Sequence, residues 1–135
     1  MKVLAIDFGE KRIGLAVGNT VTRTATPIGQ IARQRDAAAV SRIGELILSH
    51  EISQVIIGHP LNMDGTPSPF CSRVERFAER LSRRLRLPVE LVDERLTSRE
   101  AEALAGEISA PARRRKNIMD SLAAHVLLRS YMKIS

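Results

Sequence analysis

The sequence has one cysteine, Cys71, no tryptophan, three phenylalanines and a single tyrosine. A lone cysteine excludes an internal disulfide and fits a reducing compartment. No histidine or second cysteine stands near Cys71 at metal-ligand spacing, so it reads as a buried or incidental thiol. Aromatics this scarce leave no platform on which successive bases could stack, so stacking is not expected to dominate any nucleic-acid binding. No apolar run approaches the roughly 18 residues of a membrane span. The chain opens directly on a strand pattern without the features of a signal peptide, which sets the expectation of a cytoplasmic protein. It carries no internal repeat and no linker long enough to separate a pair of domains, so residues 1–135 are expected to form one domain.

What is present in excess is positive charge. The 135 residues carry a net +6, with a sequence pI near 10.4. Such a balance favours an anionic partner, nucleic acid first, although a generic basic surface gives the same figure.

The apolar runs Val3 to Ile6 and Ile13 to Val17 flank a polar turn with Gly9 and Gly14, the pattern of two buried strands paired as a hairpin. Thr24 to Ala32 reads as a third, irregular or edge strand because it contains Pro27. Asp36 is expected to cap a helix that runs to about Glu51, with Ala39, Val40, Ile43, Leu46 and Ile47 inward. A short strand over Ser53 to Gly58 leads into a loop, His59 to Pro67, dense in turn residues. From Ser72 a second helix turns Val74, Phe77, Ala78, Leu81 and Leu85 inward. Six arginines line its other faces, partly offset by Glu75 and Glu79, so a solvated surface is the plainer reading of that charge and a nucleic-acid-facing helix the lesser one. Pro88 closes this helix, and Val89 to Val92 is the fifth strand. Thr97 and Glu100 form a capping box for a further helix, which the basic segment Ser109 to Lys116 interrupts. A last helix spans about Asn117 to Met132. Antiparallel strands followed by alternating helix and strand give an α/β architecture with a mixed sheet.

Acids stand at the ends of these elements: Asp7 after the first strand, Asp93 and Glu94 after the fifth, and Asp120 early in the last helix. Asp120 shares a face with Ala124, Leu127 and Tyr131, a stripe that should pack on the sheet. Carboxylates converging there would repel one another, and a hard divalent cation relieves that repulsion. Each acid also has an ordinary explanation: a solvated turn for Asp7, a favourable charge near a helix N-terminus for Asp120.

Four stretches then occur in order: Asp7-Phe-Gly-Glu-Lys-Arg-Ile-Gly14, Gly58-His-Pro-Leu-Asn-Met-Asp-Gly65, Asp93-Glu-Arg-Leu-Thr-Ser98 and Asp120-Ser-Leu-Ala-Ala124. Together they resemble the YqgF family of pre-16S rRNA nucleases and Holliday junction resolvase-like proteins, over almost the whole chain. The resemblance implies a ribonuclease H-like fold: a five-stranded mixed sheet, the first three strands antiparallel, with helices on both faces. It implies a metal-dependent nuclease, using Mg²⁺ or Mn²⁺, that acts on structured nucleic acid, with 5′-end processing of pre-16S rRNA as the favoured role. Asp7, Glu94 and Asp120 match the family's acidic triad, as catalytic residues and metal ligands, with adjacent Asp93 a lesser candidate. In the wider superfamily an acid commonly ends the fourth strand, where this chain has Gly58-His59-Pro60. His59 stands where the family usually has an apolar residue and is given no catalytic role.

Phosphate contacts are expected from Lys11, Arg12 and Arg95 near the acids, and from the run Arg113, Arg114, Arg115 and Lys116. Asn62 is expected to shape a substrate-contacting loop, the alternative being a tight turn in which Asp64 and Gly65 serve backbone geometry alone. Other readings are a Holliday junction resolvase on branched DNA, for which two sites related by two-fold symmetry are needed, and a non-catalytic RNA-binding ribosome assembly factor. An actin-like ATPase ranks last, because it needs a second such domain. The sequence leaves monomer or homodimer open.

Overall fold

Two apolar runs joined by a short polar turn build the first hairpin, and the rest of the sheet grows outward from it. The computed structural model describes residues 1–32, 35–62, 64–93 and 124–132. β1 (Lys2–Phe8) pairs antiparallel with β2 (Arg12–Asn19) in a register that sets Asp7 opposite Gly14. β3 (Thr24–Ala32) continues the antiparallel run at the sheet's edge. A register shift between Leu15 and Ala16 makes room there for Pro27, which lacks a ladder donor.

After α1 (Asp36–His50), β4 (Gln54–His59) inserts parallel to β1 on its other side. α2 (Cys71–Leu85) then leads to β5 (Val89–Asp93), parallel to β4, and the strand order is β3-β2-β1-β4-β5. The mixed five-stranded sheet with its first three strands antiparallel is thus as expected. Residues 124–132 are helical, and we call this segment α3. Among the described residues no helix is long and apolar enough to cross a membrane.

Strand alternation sorts the core into two layers. Leu4, Ile6, Phe8, Ile13, Leu15, Val55 and Ile57 face α1 and α2. Val3, Ala5, Ala16 and Ile56 face α3, against Ala124, Leu127 and Leu128. Helices therefore cover both faces. α2 is held by its stripe of Val74, Phe77, Ala78 and Leu81, all buried. Each large side chain so buried is worth about 1.5–3 kcal/mol. The exposed pair of Arg83 and Glu79 on the same helix contributes at most about 1 kcal/mol. Packing, not ion pairing, fixes the helix.

One boundary differs from expectation. Arg35, extended at φ −126° and ψ 142°, is the N-cap of α1, and no side chain caps it. The Ala39 amide donates to the Arg35 carbonyl at 3.0 Å, which draws Asp36 into the first turn. There its charge still complements the helix N-terminus.

α3 is anchored at its far end. Leu128 and Met132 rest against Gly18, whose missing Cβ leaves them room, and Gly18 pairs with Val3 at the end of β1 remote from Asp7. Tyr131 packs on the same cluster beside Glu90; burial first, then that carboxylate, pushes its hydroxyl pKa up. Tyr131 and Met132 thus pack on the chain's own sheet.

His125 is held below its ordinary pKa of 6.5, by burial first and then by Arg129, against a hydrogen bond to the backbone of Ala25. Its Nδ1 is buried with no hydrogen-bond partner among the described residues, so a proton added there gains no acceptor. The neutral ring's contribution to stability is complete above pH 6.5 and is lost as pH falls through the lower folded value. Urea-unfolding midpoints should therefore fall as the pH is lowered below about 6.5, and less so for His125→Gln. Equal pH slopes for the two proteins would contradict this.

Candidate active site

Asp7 owes its position to its neighbour. Phe8 turns toward α2, where its ring stacks on Phe77 with centroids 4.3 Å apart and lies 5.8 Å from Phe70. All three phenylalanines of the chain meet here. With Phe8 fixed on that side, the pleat turns Asp7 to the α3 side, in line with Val3 and Ala5. Gly9 closes the turn: its amide donates to the Arg12 carbonyl at 2.9 Å, and a Cβ on Gly9 would stand only 2.8 Å from that oxygen.

Half-buried, Asp7 stands between two glycines. Gly14 faces it across β2, and Gly58 follows the Ile6–Ile57 pair on β4. Neither strand neighbour brings a side chain to the face that carries the carboxylate. Sequence reasoning placed Gly14 and Gly58 in motifs but missed this spacing role; glycine inside a strand was the signal. Arg12 falls on the same face, by alternation with Gly14 and Ala16, and is half-buried, while Lys11 is exposed in the turn. The sheet thus sets Asp7 and Arg12 on one face.

Parallel strands carry β1, β4 and β5 to one edge of the sheet. At that edge His59 pairs in register with Asp93. His59 lies on the α2 face, its Nε2 3.2 Å from Glu75 Oε1. Asp93, in line with Leu91 of the α1/α2 layer, follows it to that face, away from Asp7. The pairing of His59 with Glu75 is a structural contact that the sequence had not signalled.

Beyond β4 the loop carries hydrogen bonds of its own. The Asp64 carboxylate accepts from the Thr66 amide at 2.9 Å and its hydroxyl at 2.6 Å, and Gly65 adopts φ 89°. Asn62 donates from Nδ2 to Thr66 Oγ1 and to the Pro67 carbonyl. Asp64 and Gly65 therefore serve turn geometry, and Asn62 braces the loop. Cys71 is buried, taking the Ser68 amide at 3.3 Å and reaching the Pro60 carbonyl at 3.5 Å.

Glu94, Arg95, the run Arg113 to Lys116 and Asp120 lie outside the described residues. Among the described residues no three of His, Cys, Asp and Glu converge as metal ligands. Of the expected triad, Asp7 alone falls among the described residues, and an oxygen ligand of this kind suits Mg²⁺ or Mn²⁺.

The family model described as "RuvX: Holliday junction resolvase" matches residues 1–134. The chain belongs to the RuvX (YqgF) nuclease family. It is 38% identical over 132 residues to a family relative from Syntrophus aciditrophicus, covering 98% of this chain and 88% of the relative. A relative from Bordetella parapertussis is 43% identical over 130 residues, covering 96% and 92%. Both bear the name "Putative pre-16S rRNA nuclease". The fold is also that of Thermus thermophilus RuvC bound to a Holliday junction substrate, with TM-score 0.61, 15% identity and coverage of 100% of this chain and 97% of that one. The fowlpox virus Holliday junction resolvase matches at TM-score 0.61 and 15% identity, over 98% and 99%. The family's fold in this chain is therefore ribonuclease H-like.

Because Phe8 sets the end of β1, Phe8→Ala should cost about 3–5 kcal/mol in denaturant unfolding. A loss below about 1 kcal/mol would mean that the three-ring cluster does not hold the strand end.

Proposed function

We propose that this chain is a divalent-metal-dependent endonuclease that processes the 5′ end of pre-16S rRNA in the cytoplasm, working as one nuclease domain over 1–135. The near-full-length identity to relatives bearing that name carries the reading. Asp7, Glu94 and Asp120 would hold Mg²⁺ or Mn²⁺.

Two patterns support this set. Asp93, in register with His59, falls on the α2 face, away from Asp7, which favours Glu94 over Asp93 as the ligand. Asp120 precedes Ala124 by four residues, the spacing that stacks side chains on one helix face, and Ala124 is fully buried against the layer that includes Val3 and Ala5.

A bound divalent cation activates water and offsets charge on the reacting phosphodiester. The chain's own role is to position the substrate. Arg12, on Asp7's face, would orient a non-bridging phosphate oxygen, with Lys11 and Arg95 beside it. The run Arg113, Arg114, Arg115 and Lys116 would follow the backbone, and the Asn62 loop would form the rim.

A second reading, cleavage of branched DNA, is favoured by the family's description and requires two copies related by a two-fold axis.

Asp7→Asn, Glu94→Gln and Asp120→Asn should each abolish cleavage of precursor 16S rRNA in Mg²⁺ or Mn²⁺ while far-UV dichroism stays unchanged. Full activity in all three would overturn the proposal. A synthetic four-way junction, cleaved in preference to the RNA, would favour the second reading.

A further inference from the structure

α1 and α2 enclose a groove of about 610 Å³ on the face of the sheet opposite Asp7. Arg76, Arg80, Arg83 and Arg84 of α2 line one wall, and Ala37, Val40 and Ser41 of α1 the other. Arg73 extends the basic wall into an adjoining hollow beside Asp36. Five guanidiniums thus face two carboxylates, Asp36 and Glu79. Glu79 is taken up by Arg83, and Arg73 lies 5.7 Å over the Phe70 ring. Arg80 and Arg84 have no ion pair or side-chain hydrogen bond among the described residues, and both are exposed. A solvated helix needs no such one-sided stripe facing a groove: unpaired like charges three to four residues apart disfavour the free helix.

The groove has a direction. β4 and β5 are parallel, so α2 between them must run back against the strands. Its first turn, with Arg73, therefore sits at the edge of the sheet where β1 ends in Asp7 and Phe8. Arg84 lies eleven residues on, about 16 Å along the helix. A stripe of that length can meet several consecutive phosphates of one strand.

We propose that the α1–α2 groove binds the phosphate backbone of the polynucleotide, gripping a segment that continues past the sheet edge onto the face opposite the acids. It rests on the nuclease reading only for the identity of that polynucleotide. The recognition is of phosphate spacing and charge, so RNA and DNA of equal length both fit the groove, and the protein's preference between them is set elsewhere.

The test is fluorescence anisotropy without divalent metal. The probes are a labelled RNA hairpin with a twelve-nucleotide single-stranded tail and its DNA counterpart, titrated across salt concentrations. Arg80→Glu with Arg84→Glu should weaken binding of both probes at least tenfold at about 0.1 M salt. Each phosphate contact contributes about 0.7–0.9 to the salt slope, so Arg80→Gln with Arg84→Gln should lower that slope by about 1.4–1.8. The corresponding double lysine variant should keep the slope. The Gln and Lys pairs decide the matter if charge reversal unfolds the chain. An affinity and slope unchanged in the Gln pair would overturn the inference, as would an effect on one probe alone. Asp7→Asn separates the two claims: it should keep the full slope while losing cleavage. Cleavage retained there counts against the nuclease reading and leaves the groove intact.

Discussion

A pleated strand cannot turn one side chain into the core without turning the next one out, and at the end of β1 this rule decides where Asp7 faces. Phe8 is drawn into the pocket of Phe70 and Phe77, and the free energy of burying an aromatic ring far exceeds that of any surface contact available to Asp7. The carboxylate is consequently set on the opposite face, between Gly14 and Gly58. The tight Gly9 turn then returns the chain so that Arg12 falls on the same face. A hydrophobic anchor thus orients a polar group one residue away, and rigidity of the site follows from the packing of the core.

The same alternation divides the molecule into two sides. On one, α3 covers the small-residue layer of Val3, Ala5 and Ala16, close enough that Leu128 and Met132 touch Gly18. On the other, α1 and α2 cover the larger apolar layer and raise a stripe of arginines above it. The two sides meet at the edge where β1, β4 and β5 all end. That edge is where a polynucleotide held by the arginines would pass to reach Asp7.

Most of the architecture was legible because periodicity reports burial. The inward stripes of α1 and α2 and the hairpin follow from apolar spacing, and the mixed sheet from the order of strands and helices; the stripe of Val74, Phe77 and Leu81 is buried as the spacing requires. The α1 cap was less legible: Arg35 takes the place where a short polar side chain was expected, since the helix start is set by the Arg35–Ala39 backbone bond. Pairwise contacts between distant elements were not legible at all. The join of His59 to Glu75, and the meeting of all three phenylalanines, depend on how β4 and α2 dock, which no local pattern encodes. In the site, Asp7 could be named from its motif. The reason it faces α3 while Asp93 faces α2 came only from register and layer assignment.

The central claim is that Asp7 shares a cation with Glu94 and Asp120 on the α3 side of the sheet. Anomalous diffraction from crystals soaked in Mn²⁺ tests it most directly. The account predicts a peak about 2 Å from the Asp7 carboxylate, with oxygens of Glu94 and Asp120 in the same shell. A peak held instead by Asp93 and His59 on the α2 side, or full occupancy at a site that Asp7 does not touch, would contradict it.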